Sequence, residues 1–308
     1  MKGDIECLSI IVPVYNEEAS LNSFLDGLID VLDGLSLQSE IIFVDDGSCD
    51  GSRKILEALC LRDERIRLAV LRRNFGKTLA LSVGFSRAIG DVIFTMDADL
   101  QDDPREIPAF LEKLESGFDL VSGWKRVRRD PWHKTIPSRI FNFTVALVSG
   151  LKLHDVNCGF KAYRRWVVEG LDLYGELHRF IPVLAASKGA RVAEIPVNHR
   201  PRRHGMSKYG VSRLPKGIFD LITVVMTTRY IRRPLHFFGG IGLLFGILGI
   251  LIVLYLAILW ILGYRPIGNR PLLFYGILST VVGTQFFSFG ILSFLDIFKE
   301  IEDQAKRK

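Results

Sequence analysis

Two aspartates separated by one residue, Asp97 and Asp99, are the strongest chemical feature of the sequence. They follow an apolar run that ends at Met96, which places them just past a predicted buried strand. Carboxylates at this spacing can approach one hard cation, Mg²⁺ or Mn²⁺, which takes few protein oxygens and completes its shell with water and substrate phosphate. Gln101 offers a further oxygen. The alternative is that these carboxylates cap the following helix.

Three further polar clusters follow predicted strands, at residues 13–18, 45–48 and 74–77. Ligands of open parallel sheets bind at the carboxyl ends of the strands, so the four clusters together predict one site. A carboxylate at Asp45 or Asp46 can accept from a base or from ribose, or can belong to a plain turn. Pro13 and Tyr15 offer a rigid wall and a stacking surface. Lys77 can meet phosphate or remain solvated.

An alternation of strands and helices must position these clusters. Strands are predicted over residues 8–14, 40–44, 67–71, 91–96 and 120–122, and helices over residues 52–61, 77–88 and 104–115. Ser20 is expected to cap one more helix, whose apolar face runs from Leu21 to Leu32. This pattern predicts an α/β fold: an open, Rossmann-like, mainly parallel sheet with helices on both faces.

Two long apolar segments dominate the C-terminal part of the 308-residue chain. No Asp, Glu, Lys, Arg or His occurs from Phe237 to Tyr264 or from Pro271 to Leu295. Each run exceeds the roughly 20 residues that cross a hydrocarbon core. One such run could be a buried core helix, but two in tandem favour a transmembrane hairpin.

Charges flanking these segments predict the orientation. Arginines 229, 232 and 233 precede the first, basic residues 299 and 306–308 follow the second, and only Arg265 and Arg270 lie between. The positive-inside bias and the lack of a signal peptide predict an integral inner-membrane protein with its catalytic domain and C-terminus in the cytoplasm. The net charge of +6 fits a membrane surface or phosphate ligands, and no nucleic-acid module is recognisable.

The predicted organisation has four parts: a catalytic domain at 1–211, an amphipathic juxtamembrane segment at 212–235, the hairpin at 236–297 and a basic tail at 298–308. Segments 136–151 and 214–230 are predicted to be amphipathic helices, either in the membrane interface or on the protein surface.

A basic cluster follows the fifth predicted strand. Lys125, Arg126 and Arg139 lie in and beside an amphipathic segment, which suits a lipid phosphate presented at the interface. General attraction to lipid headgroups is the alternative. A lipid phosphate that accepts a transferred group is already anionic. Positioning and charge stabilisation could then replace the general base that a hydroxyl acceptor needs.

Taken together, the strings at residues 9–18, 44–48 and 97–99 resemble the family 2 inverting glycosyltransferases of the GT-A fold. More narrowly, residues 73–77 and 96–104 resemble the branch of dolichol-phosphate mannosyltransferases and bactoprenol glucosyltransferases. The resemblance covers roughly residues 7–210, and the paired apolar segments resemble the bactoprenol glucosyltransferase subgroup.

The resemblance implies roles for matching positions. For the nucleoside these are Pro13, Tyr15, Glu17 and Asp45; for the metal and diphosphate, Asp97, Asp99 and Gln101; for the acceptor phosphate, Arg126 and Arg139. Residues 200–209 resemble a mobile loop that closes over the diphosphate with Arg203 and Lys208, and the alternative is a basic membrane-facing loop. Asp155 lies in another matching motif, where it either orients the substrates or is structural.

The resulting prediction is a metal-dependent transferase that moves a hexose, glucose from UDP-glucose, to undecaprenyl phosphate with inversion. GDP-mannose is the alternative donor. Association through the hairpin is expected to be possible. A processive polysaccharide synthase would carry a QxxRW motif, which the chain lacks, and a dehydrogenase would carry GxGxxG after the first strand. A non-catalytic membrane scaffold is the rival from another class.

Overall fold

The computed structural model describes residues 5–126, 142, 144–146, 150–171, 173–198, 223, 226, 230, 234–264 and 266–306. The chain divides into two compact units, Met1–Val224 and Val225–Lys308, which are described separately. Most of the predicted amphipathic segments 136–151 and 214–230 lies outside the described residues, and so do Arg139, Arg203 and Lys208.

One sheet organises the first unit. Its strands are β1 (Cys7–Val14), β2 (Gln38–Asp45), β3 (Ile66–Val70), β4 (Val92–Thr95), β5 (Leu120–Lys125), β6 (Lys161–Arg164) and β7 (Val192–Val197). They lie in the order β3-β2-β1-β4-β6-β5-β7. Only β6 runs antiparallel to its neighbours β4 and β5 among these strands. The predicted mainly parallel α/β sheet is therefore confirmed, and β6 and β7 are additional strands that the sequence patterns did not predict.

Helices cover both faces of this sheet. They are α1 (Leu21–Asp33), α2 (Ser52–Arg62), α3 (Lys77–Arg87), α4 (Ile107–Glu115), α5 (Arg165–Glu169) and α6 (Ile181–Ser187). Short 3-10 turns at Pro104–Glu106 and Leu177–Phe180 precede α4 and α6. The central strands are mainly apolar because they are buried on both sides: Ile10 packs in the larger core cluster and Ile11 in a second cluster.

The first helix confirms one expectation and corrects another. All five apolar positions of its predicted face are buried. Ser20 occupies the N-cap position, but its hydroxyl donates to the carbonyl of Glu17 at 3.0 Å and does not cap α1. The prediction of a side-chain cap was wrong because Ser20 has helical backbone angles, whereas a capping residue is usually extended.

The second unit contains two helices, α7 (Pro234–Ile261) and α8 (Pro271–Lys306), that are long and apolar enough to cross a membrane. Glycines let their backbones approach closely. A Cβ on Gly242 would stand 2.7 Å from the carbonyl oxygen of Gly283. The Ser279 hydroxyl also donates to the carbonyl of Phe245 across the pair, at 2.9 Å. Small residues therefore let these two helices pack closely, a type of contact that is also common between membrane helices.

Candidate active site

The parallel strands bring the predicted polar clusters to one edge of the sheet. Val14 at the end of β1 lies opposite Asp45 at the end of β2, and Ile11 lies opposite Thr95 at the end of β4. Residues that follow these three strands therefore emerge side by side. This confirms the placement on which the sequence argument depended, since ligands of such sheets bind at the carboxyl ends of the strands.

Hydrogen bonds fix the loop after β1 against the loop after β2. The Asn16 N–H donates to the Ser48 hydroxyl at 3.0 Å, and the Asn16 side-chain oxygen accepts from the Cys49 N–H at 2.7 Å. The Glu17 N–H donates to the hydroxyl of Ser52, the first residue of α2, at 2.8 Å. The wall that carries Pro13, Tyr15 and Glu17, all half-buried, is therefore held by contacts within the protein.

The carboxylates of the acidic turn after β2 mainly accept hydrogen bonds from backbone N–H groups. Asp45 accepts from the Ser48 N–H at 3.0 Å, while Asp46 accepts from the N–H groups of Phe75 and Gly76 at 2.7 and 2.9 Å. Both aspartates are buried. Burial raises the pKa of Asp46, and the two N–H bonds counteract that rise.

The residue after this pair, Gly47, cannot be replaced without strain. It has φ = +71°, a left-handed conformation, and a Cβ there would stand 2.5 Å from the carbonyl carbon of Arg73. The turn therefore packs directly against the backbone that leads into α3. Together with Asp46, it positions the start of α3 and hence Lys77, the first residue of that helix.

An ion pair joins Lys77 to the aspartate that opens the predicted metal motif. The Lys77 ammonium donates to Oδ1 of Asp97. Burial alone would raise the pKa of Asp97, but the charge and hydrogen bond of Lys77 hold it below its ordinary value. Gly159 approaches from the side: a Cβ on that residue would stand 2.6 Å from Asp97 Oδ2 and 3.2 Å from the Lys77 nitrogen. The absence of a side chain at Gly159 thus leaves room for the pair.

The rest of the motif forms a tight turn. Asp99 Oδ1 accepts from the Gln101 N–H at 3.2 Å, and Leu100 between them has φ = +61°, an unusual conformation for a bulky residue. The side-chain cap of the following 3-10 turn comes from a neighbouring residue, Asp103, which accepts from the Arg105 N–H.

The donor set fits a divalent cation that is shared with a substrate. Among the described residues, no three His, Cys, Asp or Glu side chains gather in a way that could hold a metal by themselves. Mg²⁺ is commonly bound through one or two carboxylates together with substrate phosphates and water. Asp97 and Asp99 would supply those two carboxylates at the ligand edge, which is the edge formed by the carboxyl ends of the parallel strands.

Further charged side chains lie near the ion pair of Lys77 and Asp97, in the interior of the site. Lys125 at the end of β5 lies 3.7 Å from the buried carboxylate of Asp102. Burial alone would lower the pKa of Lys125, but Asp102 raises it above its ordinary value, so Lys125 stays charged. The ammonium of Lys161, which is 3% exposed, donates to the carbonyl of Cys158. Burial and the nearby Lys77 lower the pKa of Lys161.

Asp155 is buried and held by its backbone. Its N–H donates to Oε1 of Glu194 on β7 at 2.9 Å. The other oxygen of Glu194 accepts from the His154 N–H at 2.8 Å and lies 3.0 Å from the His154 ring nitrogen. The ring of Trp124 stacks on that imidazole, with centroids 4.2 Å apart. Glu194 therefore positions the segment that carries Asp155.

A histidine that the sequence patterns did not indicate also belongs to this site. Nδ1 of His178 lies 2.7 Å from the hydroxyl of Thr78, the second residue of α3. Burial lowers the pKa of His178 well below its ordinary value, and the nearby cation of Lys77 adds to the shift. The imidazole is therefore neutral at physiological pH.

The predicted charged residues of the site differ in what the structure shows of them. Lys77, Asp97 and Lys125 act on one another electrostatically, with Asp155 close to Lys125. Arg126 is exposed directly after β5, while Arg139, Arg203 and Lys208 lie outside the described residues. The assigned roles of all these residues stay predictions.

Four residues at the site were missed: Asp102, Gly159, Lys161 and His178. The first belongs to the acidic run after β4 and the next two to the motif around Asp155, so the sequence carries a local signal for these three residues. No spacing points to His178.

The fold and this edge define the class: an α/β protein with a mainly parallel sheet whose ligand edge carries acidic and basic side chains. The family model described as Glycosyl transferase family 2 matches residues 9–171. The chain belongs to glycosyltransferase family 2, and its sheet domain has the GT-A fold.

Two relatives sharpen this placement. The chain is 40% identical over 297 residues to a dodecaprenyl-phosphate galacturonate synthase of Rhizobium johnstonii, covering 93% of this chain and 86% of that protein. It is 37% identical over 294 residues to an undecaprenyl-phosphate 4-deoxy-4-formamido-L-arabinose transferase of Aeromonas hydrophila, covering 94% and 88%. The predicted polyprenyl-phosphate branch is confirmed.

Solved structures support the fold at greater distance. Glucosyl-3-phosphoglycerate synthase from Mycobacterium tuberculosis, in complex with Mn²⁺, UDP and phosphoglyceric acid, superposes with a TM-score of 0.57 at 20% identity. The match covers 72% of this chain and 78% of that one. At this identity the likeness concerns the fold alone.

Proposed function

We propose that this protein transfers a sugar from a nucleoside diphosphate sugar to a polyprenyl phosphate at a membrane. The observation that carries the proposal is the joint placement of Lys77, Asp97 and Lys125 at the ligand edge of a family 2 fold. Carboxylates suit a metal-bound diphosphate there, and cations suit a second phosphate. The names of the relatives, both polyprenyl-phosphate transferases, support the same acceptor.

On the donor side, the fixed wall with Pro13, Tyr15 and Glu17 would receive the nucleoside, together with Asp45 from the next strand. For Asp46 we propose an indirect part in donor binding instead of the predicted ligand role, because its carboxylate accepts two backbone N–H groups. Its contribution to donor binding would be to hold Lys77 in place. Arg203 and Lys208 would close over the diphosphate.

A divalent cation would be held by Asp97 and Asp99, with Gln101 as a further oxygen donor. When bound, Mg²⁺ or Mn²⁺ supplies positive charge that stabilises the leaving diphosphate. The structures of glucosyl-3-phosphoglycerate synthase, which contain Mn²⁺ with UDP-glucose, support the metal class without distinguishing the two ions.

On the acceptor side, the lipid phosphate would lie between Lys125 and Arg126, with Arg139 as a third cation. Its oxygen forms a bond to the anomeric carbon while the bond to the nucleoside diphosphate breaks, and the departing oxygen takes the bonding electrons. Attack opposite the leaving group inverts the anomeric configuration. Because the attacking oxygen is already anionic, the residues need only position it and offset charge. Asp155 would orient the acceptor or the sugar.

For the donor we retain UDP-glucose as the first candidate and GDP-mannose as the second. The relatives' names add galacturonate and a formamido-arabinose as sugars that similar proteins handle. The donor is therefore best found by testing nucleotide sugars of several bases and sugar classes in parallel.

For the membrane we propose that α7 and α8 span the inner membrane, with the catalytic domain at 1–211 and the tail at 298–308 in the cytoplasm. The basic residues on both outer flanks of the hairpin support this orientation. Residues 212–235 would lie at the interface.

The test uses the full chain purified in detergent. Radiolabelled UDP-glucose, UDP-galacturonic acid and GDP-mannose are each offered with and without undecaprenyl phosphate, in Mg²⁺ and in Mn²⁺. We expect lipid-linked label with one donor, only when the lipid phosphate and a metal are present. Sugar release that does not depend on the lipid would contradict the acceptor, and no turnover with any donor would favour the scaffold alternative.

A further inference from the structure

The contact between Lys77 and Asp97 places a cation of the protein on a carboxylate that would hold the metal. About a third of each side chain is exposed, 31% for Lys77 and 34% for Asp97, so the pair is accessible to a ligand. The neighbouring ammonium groups are engaged elsewhere, Lys125 by Asp102 and Lys161 by the Cys158 carbonyl. Lys77 is therefore the described lysine that pairs directly with Asp97.

The two ends of Lys77 differ in freedom. Its backbone begins α3, and Asp46 holds the two preceding residues through their N–H groups. Its ammonium is a compact point charge at the end of a flexible four-carbon stem. Gly159 covers one side of the ion pair and adds no side chain. A side chain of this kind can change its partner while the backbone of Lys77 stays in place.

An ammonium and a divalent cation cannot share Asp97 without strong mutual repulsion in a partly buried site. A donor diphosphate changes this balance, because its oxygens offer Lys77 a new anionic partner with strong charge-assisted hydrogen bonds. Movement of the ammonium from Asp97 to the diphosphate then releases the carboxylate.

We propose that Lys77 is an exchangeable counter-ion that pairs with Asp97 and moves to the diphosphate when the donor binds. This inference rests on the proposed donor and metal sites. Its consequence is that metal and donor binding are coupled: the donor tightens metal binding and, by linkage, the metal tightens donor binding. The coupling keeps the metal site weak until a diphosphate is present.

The experiment measures Mn²⁺ binding by calorimetry to the full chain in detergent, without nucleotide and with UDP or GDP. Titrations with nucleotide are corrected for the Mn²⁺ that nucleotide binds in solution. In Lys77→Met, Asp97 loses its competing cation, so Mn²⁺ alone should bind about tenfold tighter than in the wild type. The further tightening by UDP or GDP should shrink, because the variant has no cation to transfer.

Lys54→Met on the exposed face of α2 is the matched control and should bind Mn²⁺ like the wild type. Lys77→Arg keeps the charge and should keep metal binding weak. Should methionine destabilise the protein, Lys77→Gln removes the same charge with a polar side chain.

Equal or weaker Mn²⁺ binding in the neutral Lys77 variants than in the wild type, without nucleotide, would overturn the exchange. A wild-type protein that fails to bind Mn²⁺ even with UDP or GDP would instead remove the metal and donor sites on which the inference depends. The two failures are thus separated by the wild-type titration.

Discussion

The strands on either side of β1 end in acidic turns that look alike in the sequence and behave differently in the fold. After β2, Asp45 and Asp46 are buried, and their carboxylates accept backbone N–H groups. After β4, Asp97 stays partly exposed and pairs with the side chain of Lys77. The sheet brings both turns to the same edge, so the difference comes from what each carboxylate contacts.

This difference separates scaffold from ligand site. A carboxylate that satisfies buried N–H groups cannot leave them without exposing unpaired donors, which costs free energy. A carboxylate that faces a flexible lysine can exchange that partner for another cation. Asp46 in the first turn should therefore matter mainly for stability, and Asp97 in the second turn for activity.

Asp97→Asn should give the largest effect. We expect sugar transfer to fall by about 10³-fold, the range seen when preorganised charge stabilisation is removed. The thermal midpoint should change little, because the contact of the Asp97 carboxylate described above is to a flexible side chain, that of Lys77, and not to a buried backbone group. The measurement is turnover of the full chain under saturating metal, beside its unfolding curve.

The matched control is Asp26→Asn on the exposed face of α1, which should keep both activity and stability. An Asp97→Asn variant that transfers sugar like the wild type would break the comparison, since both acidic turns would then be structural.

Gly159→Ala should come next. Its new methyl group would lie 2.6 Å from Asp97 Oδ2, so the carboxylate must shift by a fraction of an ångström to about one ångström. Misplacement of that size can cost about 10²-fold in rate. We expect this loss in turnover with a correctly folded protein. Gly27→Ala in α1, where a Cβ meets nothing within 4 Å, should leave turnover unchanged.

Asp46→Asn should act mainly on stability, in contrast to the two substitutions above. The amide group keeps one acceptor but points an N–H at a backbone N–H of Phe75 or Gly76. We expect a loss of about 1–3 kcal/mol in the free energy of unfolding, the usual cost of an unsatisfied buried group. Denaturant unfolding in detergent measures it. A variant as stable as the wild type but inactive would move Asp46 into the ligand site and erase the distinction between the turns.

Much of the fold could be predicted because its signals are local. The continuous apolar run of β1 and the apolar face of α1 report burial directly. The strand β6 was missed because it is short and begins with Lys161, a charged residue that only the folded site explains. The Ser20 cap was wrong because the choice between capping and bonding to Glu17 depends on backbone angles that sequence type does not determine.

The candidate site was predictable in outline only. The position of both acidic turns follows from strand alternation, but the partners of Asp46 and Asp97 come from other parts of the chain and carry no spacing signal. The contact of His178 with Thr78 joins residues 100 positions apart. Such contacts are set by packing between α3 and the turn before α6.

Substitution of His178 should give the smallest of the expected effects. It tests whether the buried, neutral imidazole makes the stability of the protein depend on pH. Its folded pKa lies well below the ordinary value of 6.5. As the pH falls below 6.5, the unfolded chain therefore takes up a proton that the folded protein does not, and stability declines by up to about 1.4 kcal/mol per pH unit. His178→Gln keeps a hydrogen bond to Thr78 and removes this titration. Its unfolding free energy should fall less between pH 7 and 5 than that of the wild type, while an unchanged slope would mean that the imidazole is protonated in the folded site.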